Sequence, residues 1–290
     1  MPKKKIIAQR AENSKKIFNR KLSYLEWGMG NPQKVLALHG WLDNAATFSE
    51  LAPLLDAKLH LVAIDLPGHG HSDHLPEGSA YHLVDYVATV IEFMDKLKWN
   101  HCAWLGHSMG AAIAAMAAVM SPDRVSSLSL IETLGPLSGT VEETTDSLQG
   151  YLKDIRALRL KEKPVYPTLE LALKSRLIAT PMAETGARQI VERGLKKVKG
   201  GVTWRSDPRL RLRSPIRMTE EQVLAMLAAI AAPTLLIRGK QGLFRQDFRW
   251  LNRLKVMFDL DYEDIEGGHH LHCDAPETVA KLLLPFIRTH

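Results

Sequence analysis

The chain of 290 residues contains little cysteine and no long run of apolar residues. Its only two cysteines, Cys102 and Cys273, exclude a disulfide-rich scaffold and are typical of a reducing compartment. No apolar stretch approaches the roughly 20 residues that a helix needs to cross a bilayer. The basic start of the chain has no apolar signal-peptide core either. From these absences we expect a cytoplasmic protein without a transmembrane segment.

Sequence motifs that bind nucleotides or nucleic acids are also missing. Residues 68–73 read Gly-His-Gly-His-Ser-Asp, and Asp73 stands where a dinucleotide-binding motif requires its third glycine. No basic stripe interleaved with aromatic residues indicates nucleic acid. We therefore expect no cofactor and no nucleic-acid partner, and the sequence gives no indication of the oligomeric state.

Positive charge is concentrated in one part of the chain. Residues 151–217 contain 17 Lys and Arg against 6 Asp and Glu, whereas the remainder contains 21 against 26. Such a segment indicates either solvated helix faces or binding of an anionic group. A substrate with a carboxylate, a phosphate or a CoA moiety is expected if side chains of this segment face the entrance of the site, the candidates being Arg205, Arg209, Arg211 and Arg213.

The most informative motif is Gly-His-Ser-Met-Gly at residues 106–110. It follows the apolar run 101–105 and precedes the Ala-rich run 111–116, so a strand is predicted to enter a helix through a tight G-x-S-x-G turn. Such a turn exposes the serine hydroxyl, and the flanking glycines avoid collisions with the strand and the helix. This context predicts that Ser108 is a nucleophile.

Short apolar strands alternate with helical patterns in two parts of the chain. Strands are predicted near residues 35–38, 59–66, 101–105 and 125–132, with helices at 45–55 and 83–97 between them. The alternation predicts an α/β fold, with a mostly parallel central sheet wound by right-handed crossovers and flanked by helices.

The alternation stops after Thr133 and resumes near residue 218. The segment between shows helical patterns at 142–160, 169–179 and 184–197 and no convincing buried strand. We predict a core of residues 1–133 and 218–290 and an inserted helical cap of residues 134–217, which would cover the carboxyl edge of the sheet.

A nucleophilic serine needs a base, and in hydrolases with this turn the base comes last along the chain. Three histidines compete in the loop after the last predicted strand, and His269 is the preferred base because it directly follows Gly267 and Gly268. The alternative is a metal site. Its candidate ligands are His269, His270, His272, Cys273 and Asp274. Adjacent residues on a short loop rarely converge on one metal ion.

Taken together, these motifs resemble the α/β-hydrolase fold superfamily. The chain is most similar to the serine hydrolase-like group, whose members carry His-Gly-Trp-Leu-Asp-Asn in the first active loop, here residues 39–44. The segment 67–72, Pro-Gly-His-Gly-His-Ser, the serine turn and the Gly-His pair at 268–269 follow in the expected order. The resemblance extends from about residue 36 to the C-terminus and implies a hydrolase with a helical cap.

The acid of the triad departs from the commonest pattern of this superfamily. Many members place an Asp in a Gly-x-x-Asp loop, and the corresponding loop 239–242 ends here in Gly242. Other branches take the carboxylate from the end of the strand after the serine helix, where Glu132 stands. We favour Glu132 because a triad is recognised by geometry. Asp247 is the second choice, followed by Asp264 and Asp43.

The remaining requirement is a pair of N–H donors for the oxyanion of the reaction. The resemblance implies the backbone N–H of Met109 and that of Trp41, whose side chain would line the acyl pocket. The sequence thus predicts a serine hydrolase that acts on a small-molecule ester or thioester. The alternative is a ligand-binding receptor or pseudoenzyme with slow or no turnover, which the missing carboxylate at Gly242 favours.

Overall fold

The computed structural model describes residues 10–55, 59–243 and 249–290, and an eight-stranded sheet lies at its centre. Two further strands form a separate antiparallel hairpin. The strands are β1 (Ala11–Ile17), β2 (Arg20–Trp27), β3 (Gln33–Leu38), β4 (Leu59–Ile64), β5 (Cys102–His107), β6 (Val125–Ile131), β7 (Leu195–Val198), β8 (Gly201–Trp204), β9 (Thr234–Gly239) and β10 (Leu260–Ile265).

Helices pack on both sides of the sheet. The α-helices are α1 (Leu83–Leu97), α2 (Met109–Met120), α3 (Thr144–Leu158), α4 (Leu169–Ala179), α5 (Glu184–Gly194), α6 (Glu220–Ala228), α7 (Arg249–Val256), α8 (Leu271–Asp274) and α9 (Pro276–Thr289). Short 3-10 helices are Ala45–Phe48, Ala52–Leu54, Pro122–Arg124 and Pro208–Arg211. Among the described residues, no helix combines the length and the apolar character needed to cross a membrane.

The large sheet has the strand order β1-β2-β4-β3-β5-β6-β9-β10. The pairs β1–β2 and β2–β4 are antiparallel, and all other neighbouring strands are parallel. The expected mostly parallel sheet flanked by helices is therefore confirmed. Its central strands are almost continuously buried because both faces are covered by other parts of the chain.

The two faces of the sheet contribute to two separate hydrophobic clusters. Along β3, Leu36 and Leu38 belong to the cluster that also contains residues of α1, α2 and α6. Val35 and Ala37 point to the opposite cluster, which contains residues of α9. All four side chains are fully buried. This two-sided core fixes the register, since a shift by one residue would exchange the faces of every side chain.

Parallel pairing brings the carboxyl ends of four strands to one edge. His107 of β5 is in register with Ile131 of β6, and Ile131 is in register with Ile237 of β9. Gly239, the last residue of β9, pairs with Ile265 of β10. The loops that follow β5, β6, β9 and β10 therefore emerge side by side.

Residues 132–219 connect β6 to α6 and contain α3, α4, α5 and the β7–β8 hairpin. The helix predicted over residues 184–197 ends at Gly194, because the chain then pairs from Leu195 with Trp204 in the hairpin. Helices α4 and α5 share a small apolar cluster with the start of β7, whereas α3 has no buried residue.

The segment between β3 and β4 also differs from its prediction. A helix was expected over residues 45–55, but two 3-10 helices form there. The side chain of Asn44 accepts a hydrogen bond from the N–H of Ala46 and begins the first of them. Pro53 lies in the second, where proline has no N–H to donate and would clash with the preceding turn of an α-helix.

Candidate active site

Ser108 lies at a sharp corner between β5 and α2. Its φ of 51° and ψ of −116° are rarely adopted by a residue with a side chain. A Cβ on Gly106 would lie 2.5 Å from the backbone nitrogen of Ala111, and one on Gly110 would lie 2.1 Å from the carbonyl oxygen of Leu38. Both positions therefore require glycine, because neighbouring backbone atoms leave no room for a Cβ.

The structure brings Ser108, His269 and Glu132 together in one chain of hydrogen bonds. The Nε2 atom of His269 lies 3.0 Å from Oγ of Ser108, and its Nδ1 atom lies 3.0 Å from Oε2 of Glu132. Glu132 directly follows β6, between the strand that leads to Ser108 and the strands that lead to His269. A carboxylate at Nδ1 favours the tautomer in which Nε2 accepts the serine proton.

Glu132 is fully buried and has a left-handed backbone with a φ of 68°. Its N–H donates to the carbonyl of Ile237, and its Oε1 accepts a short hydrogen bond from the N–H of Gly239. A Cβ on Gly242 would lie 2.2 Å from Oε2 of Glu132. The glycine in the position of the commonest acid thus leaves room for the carboxylate that comes from β6.

The other candidate acids lie elsewhere or outside the described residues. Asp264 binds Arg238 with two contacts of 2.8 Å. Asp43 lies near His270 rather than His269, at 3.1 Å from the Nε2 atom of His270. Asp247 falls in the range 244–248, which lies outside the described residues.

The three competing histidines have three different partners. His269 contacts Ser108, His270 contacts Asp43, and Nε2 of His272 lies 2.7 Å from Oγ1 of Thr47. Burial, aided by the nearby His270, lowers the pKa of His272 to about 3, so its ring is neutral at neutral pH.

The remaining members of the alternative metal set also have separate partners. The thiol of Cys273 donates to the carbonyl of Thr47, and Asp274 accepts a hydrogen bond from the N–H of Ala183. Both cysteines of the chain are free and buried. Another group, formed by Asp43, His107 and His270, places its ligand atoms within 4.8 Å of one another. The guanidinium of Arg176 contacts two members of that group, so the protein itself supplies a cation there.

The loop that contains Trp41 packs against the corner at Ser108. A Cβ on Gly40 would lie 2.8 Å from Nδ1 of His107, the residue before Ser108. The indole N–H of Trp41 donates to the carbonyl of Leu210 at 2.7 Å, and the side chain is 49% exposed. The loop of Trp41 and the start of α2 at Met109 thus lie next to the serine.

Two buried histidines, His39 and His69, hold this loop through hydrogen bonds to the backbone. Nε2 of His39 accepts a hydrogen bond from the N–H of Leu66, and Nε2 of His69 accepts one from the N–H of Leu42. Burial and the neighbouring His39 lower the pKa of His69 to about 3, which keeps the ring neutral and able to accept. The histidine between two glycines at residues 68–70 was the signal that could have indicated this role.

The chain matches the family model of the alpha/beta hydrolase fold over residues 34–276. It is 34% identical to the serine hydrolase-like protein of Danio rerio over 277 residues, which cover 90% of this chain and 83% of that protein. The chain therefore belongs to the α/β-hydrolase fold family and, within it, to the serine hydrolase-like group.

Solved structures of similar proteins agree with this assignment. A hypothetical protein from Pseudomonas aeruginosa PAO1 superposes with a TM-score of 0.90 and 37% identity, covering 96% of this chain and 99% of the other. The thioesterase domain from the curacin biosynthetic pathway superposes with a TM-score of 0.82 and 26% identity, covering 95% and 99%. Membership of this family identifies the protein as a hydrolase of the α/β fold.

Proposed function

We propose that this protein is a serine hydrolase that cleaves an ester or thioester of a small or acyl-chain substrate through an acyl-enzyme. The single observation that carries the proposal is the continuous chain of hydrogen bonds from Ser108 through His269 to the buried Glu132. The thioesterase domain among the structural neighbours supports the class of substrate.

In the first half of the reaction, Oγ of Ser108 attacks the carbonyl carbon while Nε2 of His269 takes the serine proton. The backbone N–H groups of Trp41 and Met109 bind the oxyanion that forms. The bond to the alcohol or thiol then breaks, and His269 donates its proton to the leaving group. Glu132 stabilises the imidazolium and keeps the ring oriented throughout.

In the second half, His269 takes a proton from water, and the resulting hydroxide attacks the acyl-enzyme. Collapse of the second oxyanion releases the carboxylic acid and returns the proton to Ser108. All catalytic groups in these steps belong to the chain itself, so the proposed reaction uses no cofactor.

The segment 134–217 has the position of a cap in this proposal. It is inserted between core residues 1–133 and 218–290, and it contacts the loop of Trp41 through the carbonyl of Leu210. The half-exposed indole of Trp41 therefore stands at the boundary of the core and the cap, where an acyl group would enter.

The alternative, a receptor or pseudoenzyme with the same pocket, was favoured by the missing carboxylate at Gly242. Glu132 has its carboxylate against that position, so this feature no longer favours a loss of turnover. Turnover of a short-chain nitrophenyl ester separates the two functions, since a receptor would bind the ester without hydrolysing it.

Ser108→Ala provides the direct test. We expect it to abolish covalent labelling by a fluorophosphonate and to lower kcat by on the order of 10³-fold or more, as loss of a triad member does. The fold should persist because only a hydroxyl is removed, and circular dichroism checks this. Undiminished ester turnover in the variant would refute the proposed function.

A further inference from the structure

A buried polar cluster lies next to the ring of His269, and its side chains take no part in the reaction proposed above. Its members are Asp43, His107, His270 and Arg176. The side chains of Asp43, His107 and His270 are nearly inaccessible, and that of Arg176 is only 14% exposed. Burial of so many polar groups is costly unless each one is paired, so the cluster calls for an explanation.

Each member comes from a different part of the molecule. Asp43 belongs to the loop of Trp41, His107 is the last residue of β5, and Arg176 lies on α4 of the inserted segment. His270 directly follows His269. The cluster therefore joins four parts of the chain: the loop of Trp41, the turn at Ser108, the loop of His269 (the histidine loop) and the inserted segment.

Asp43 is the centre of these contacts. Its Oδ1 lies 2.6 Å from a guanidinium nitrogen of Arg176, and its Oδ2 lies 3.1 Å from Nε2 of His270. Burial alone would raise the pKa of Asp43, but His270 and Arg176 outweigh burial and hold that pKa well below its ordinary value of 3.8. Asp43 is therefore ionised, and Arg176 is its permanently charged partner.

His107 connects the same cluster to the backbone of His269. Burial, with the nearby His272 and His270, holds the pKa of His107 well below 6.5, so the ring is neutral. Its Nε2 lies 2.8 Å from the carbonyl oxygen of His269 and donates to it. The unprotonated Nδ1 then faces Oδ2 of Asp43 at 3.7 Å. The lone pair of Nδ1 and the carboxylate repel each other. A cation beside the carboxylate is needed to offset this repulsion, and Arg176 supplies it.

We propose that the Asp43–Arg176 ion pair is a positioning pair for His269, which makes attachment of the inserted segment a condition for a competent serine-histidine contact. The inference rests on the proposed function, because it assigns the base role to His269. Loss of Arg176 would leave a buried charge on Asp43 next to two histidines. The histidine loop would then relax away from Ser108.

A second ion pair offers a matched control. Arg193 on α5 binds Asp65 at 2.8 Å, and both side chains are at least as buried as those of Arg176 and Asp43. This pair also joins the insertion to the core, but its described contacts are with Asp65 and Glu12 and not with the histidine loop. Arg193→Gln therefore weakens the attachment without removing a described contact of the histidine loop.

The experiment compares Arg176→Gln, Arg176→Lys, Asp43→Asn and Arg193→Gln in the full chain, with thermal unfolding recorded for each. We expect Arg176→Gln and Asp43→Asn to lower kcat by about 10- to 100-fold at nearly unchanged KM, as expected for a reacting group displaced by about an ångström. Arg176→Lys should retain most of the kcat that Arg176→Gln loses. Arg193→Gln should lower the Tm but keep kcat within about twofold.

A readout without turnover separates this inference from the proposed function. A low-field NMR signal from the Nδ1 proton of His269 bound to Glu132 should be present in the parent chain and in Arg193→Gln. It should be lost in Arg176→Gln. Equal losses of kcat in Arg176→Gln and Arg193→Gln would overturn the inference, and so would retention of both signal and kcat in Arg176→Gln. A chain that shows the signal but no labelling of Ser108 would instead contradict the proposed function.

Discussion

At the scale of single residues, the histidine loop shows how neighbours in sequence acquire different chemistry. His270 and His272 are buried among groups of the protein interior, whereas His269 lies between Ser108 and Glu132. One peptide unit separates His269 from His270, whose rings lie 5.4 Å apart edge to face, and it is the ring of His269 that reaches the serine. The base role in the proposed mechanism follows from this geometry.

Glu132→Gln tests the acid at the same scale. The amide can stabilise the wrong imidazole tautomer and cannot offset the charge on His269, so we expect kcat to fall by on the order of 10² to 10⁴-fold with KM little changed. Steady-state kinetics on a nitrophenyl ester provide the measurement.

Two aspartates serve as comparisons for Glu132→Gln. Asp264→Asn should keep its activity, because Asp264 binds Arg238 at the edge of the sheet. Asp247→Asn examines the second sequence candidate. The assignment of Glu132 is wrong if Asp247→Asn loses activity while Glu132→Gln retains it.

At the scale of elements, the end of β6 and the loop after β9 meet at one point of the candidate site. Glu132 and Gly242 lie so close that a side chain at 242 would collide with the carboxylate. A chain with both acids would place two negative charges in one buried site, which is strongly unfavourable. The glycine at 242 and the carboxylate of Glu132 are therefore two parts of one arrangement.

Exchanging the two positions tests this arrangement. Gly242→Ala should lower both kcat and stability, the latter by about 1–3 kcal/mol, because extra atoms are forced into a packed site. Glu132→Ala should be nearly inactive. The double variant Glu132→Ala/Gly242→Asp should recover part of the kcat that Glu132→Ala loses. No recovery would mean that position 242 cannot present an acid to His269.

At the scale of the whole molecule, the segment between β6 and α6 is attached to the rest of the chain by buried charge. Arg176 and Arg193 each bind a core aspartate, and Asn44 donates a hydrogen bond from the core to the carbonyl of Ile190 on α5. Helices α4 and α5 are thus fixed at the carboxyl edge of the sheet. Helix α3, by contrast, has no buried residue.

Buried neutral histidines should make the whole fold sensitive to acid. The pKa values of His69 and His272 are lowered from 6.5 to about 3, so between these values the unfolded chain binds protons that the folded chain does not. The free energy of unfolding should therefore fall as the pH drops from 6.5 towards 3. Each histidine should contribute up to about 1.4 kcal/mol per pH unit.

Urea unfolding at pH 7.5, 5.5 and 4.5 measures this dependence. His69→Gln should reduce the slope below pH 6.5 by about the contribution of one histidine. His101→Gln, at an exposed position, should leave the slope unchanged. Identical slopes for the parent chain and His69→Gln would contradict the assignment of a neutral buried ring.

The charge of the insertion leads to the last prediction at this scale. Several arginines already have protein partners, since Arg205 donates to the carbonyl of Leu195, Arg209 binds Asp207 and Arg213 binds Asp154. An anionic substrate stays a prediction that rests on the charge excess of residues 151–217. Raising the ionic strength should raise KM for an anionic ester more than for a neutral ester of equal chain length. Equal responses would assign these arginines to structural contacts alone.

Features that depend on neighbouring residues could be predicted from the amino-acid sequence. Strand and helix periodicity predicted the parallel sheet, and the glycines around Ser108 predicted the sharp turn, because each signal lies within a few residues of the position it describes. The family motifs at residues 39–44 and 106–110 likewise predicted a family that the comparisons confirm.

Contacts between groups that are distant in sequence could not be predicted in this way. Glu132 and His269 are 137 positions apart, and Asp43 and Arg176 are 133 apart, so their contacts depend on the strand order and on where the insertion packs. A sequence pattern gives no information about the distance between such groups. Gly242 can leave space for Glu132 only after the sheet has placed their loops side by side. The same holds for Arg176, which neutralises the buried charge of Asp43.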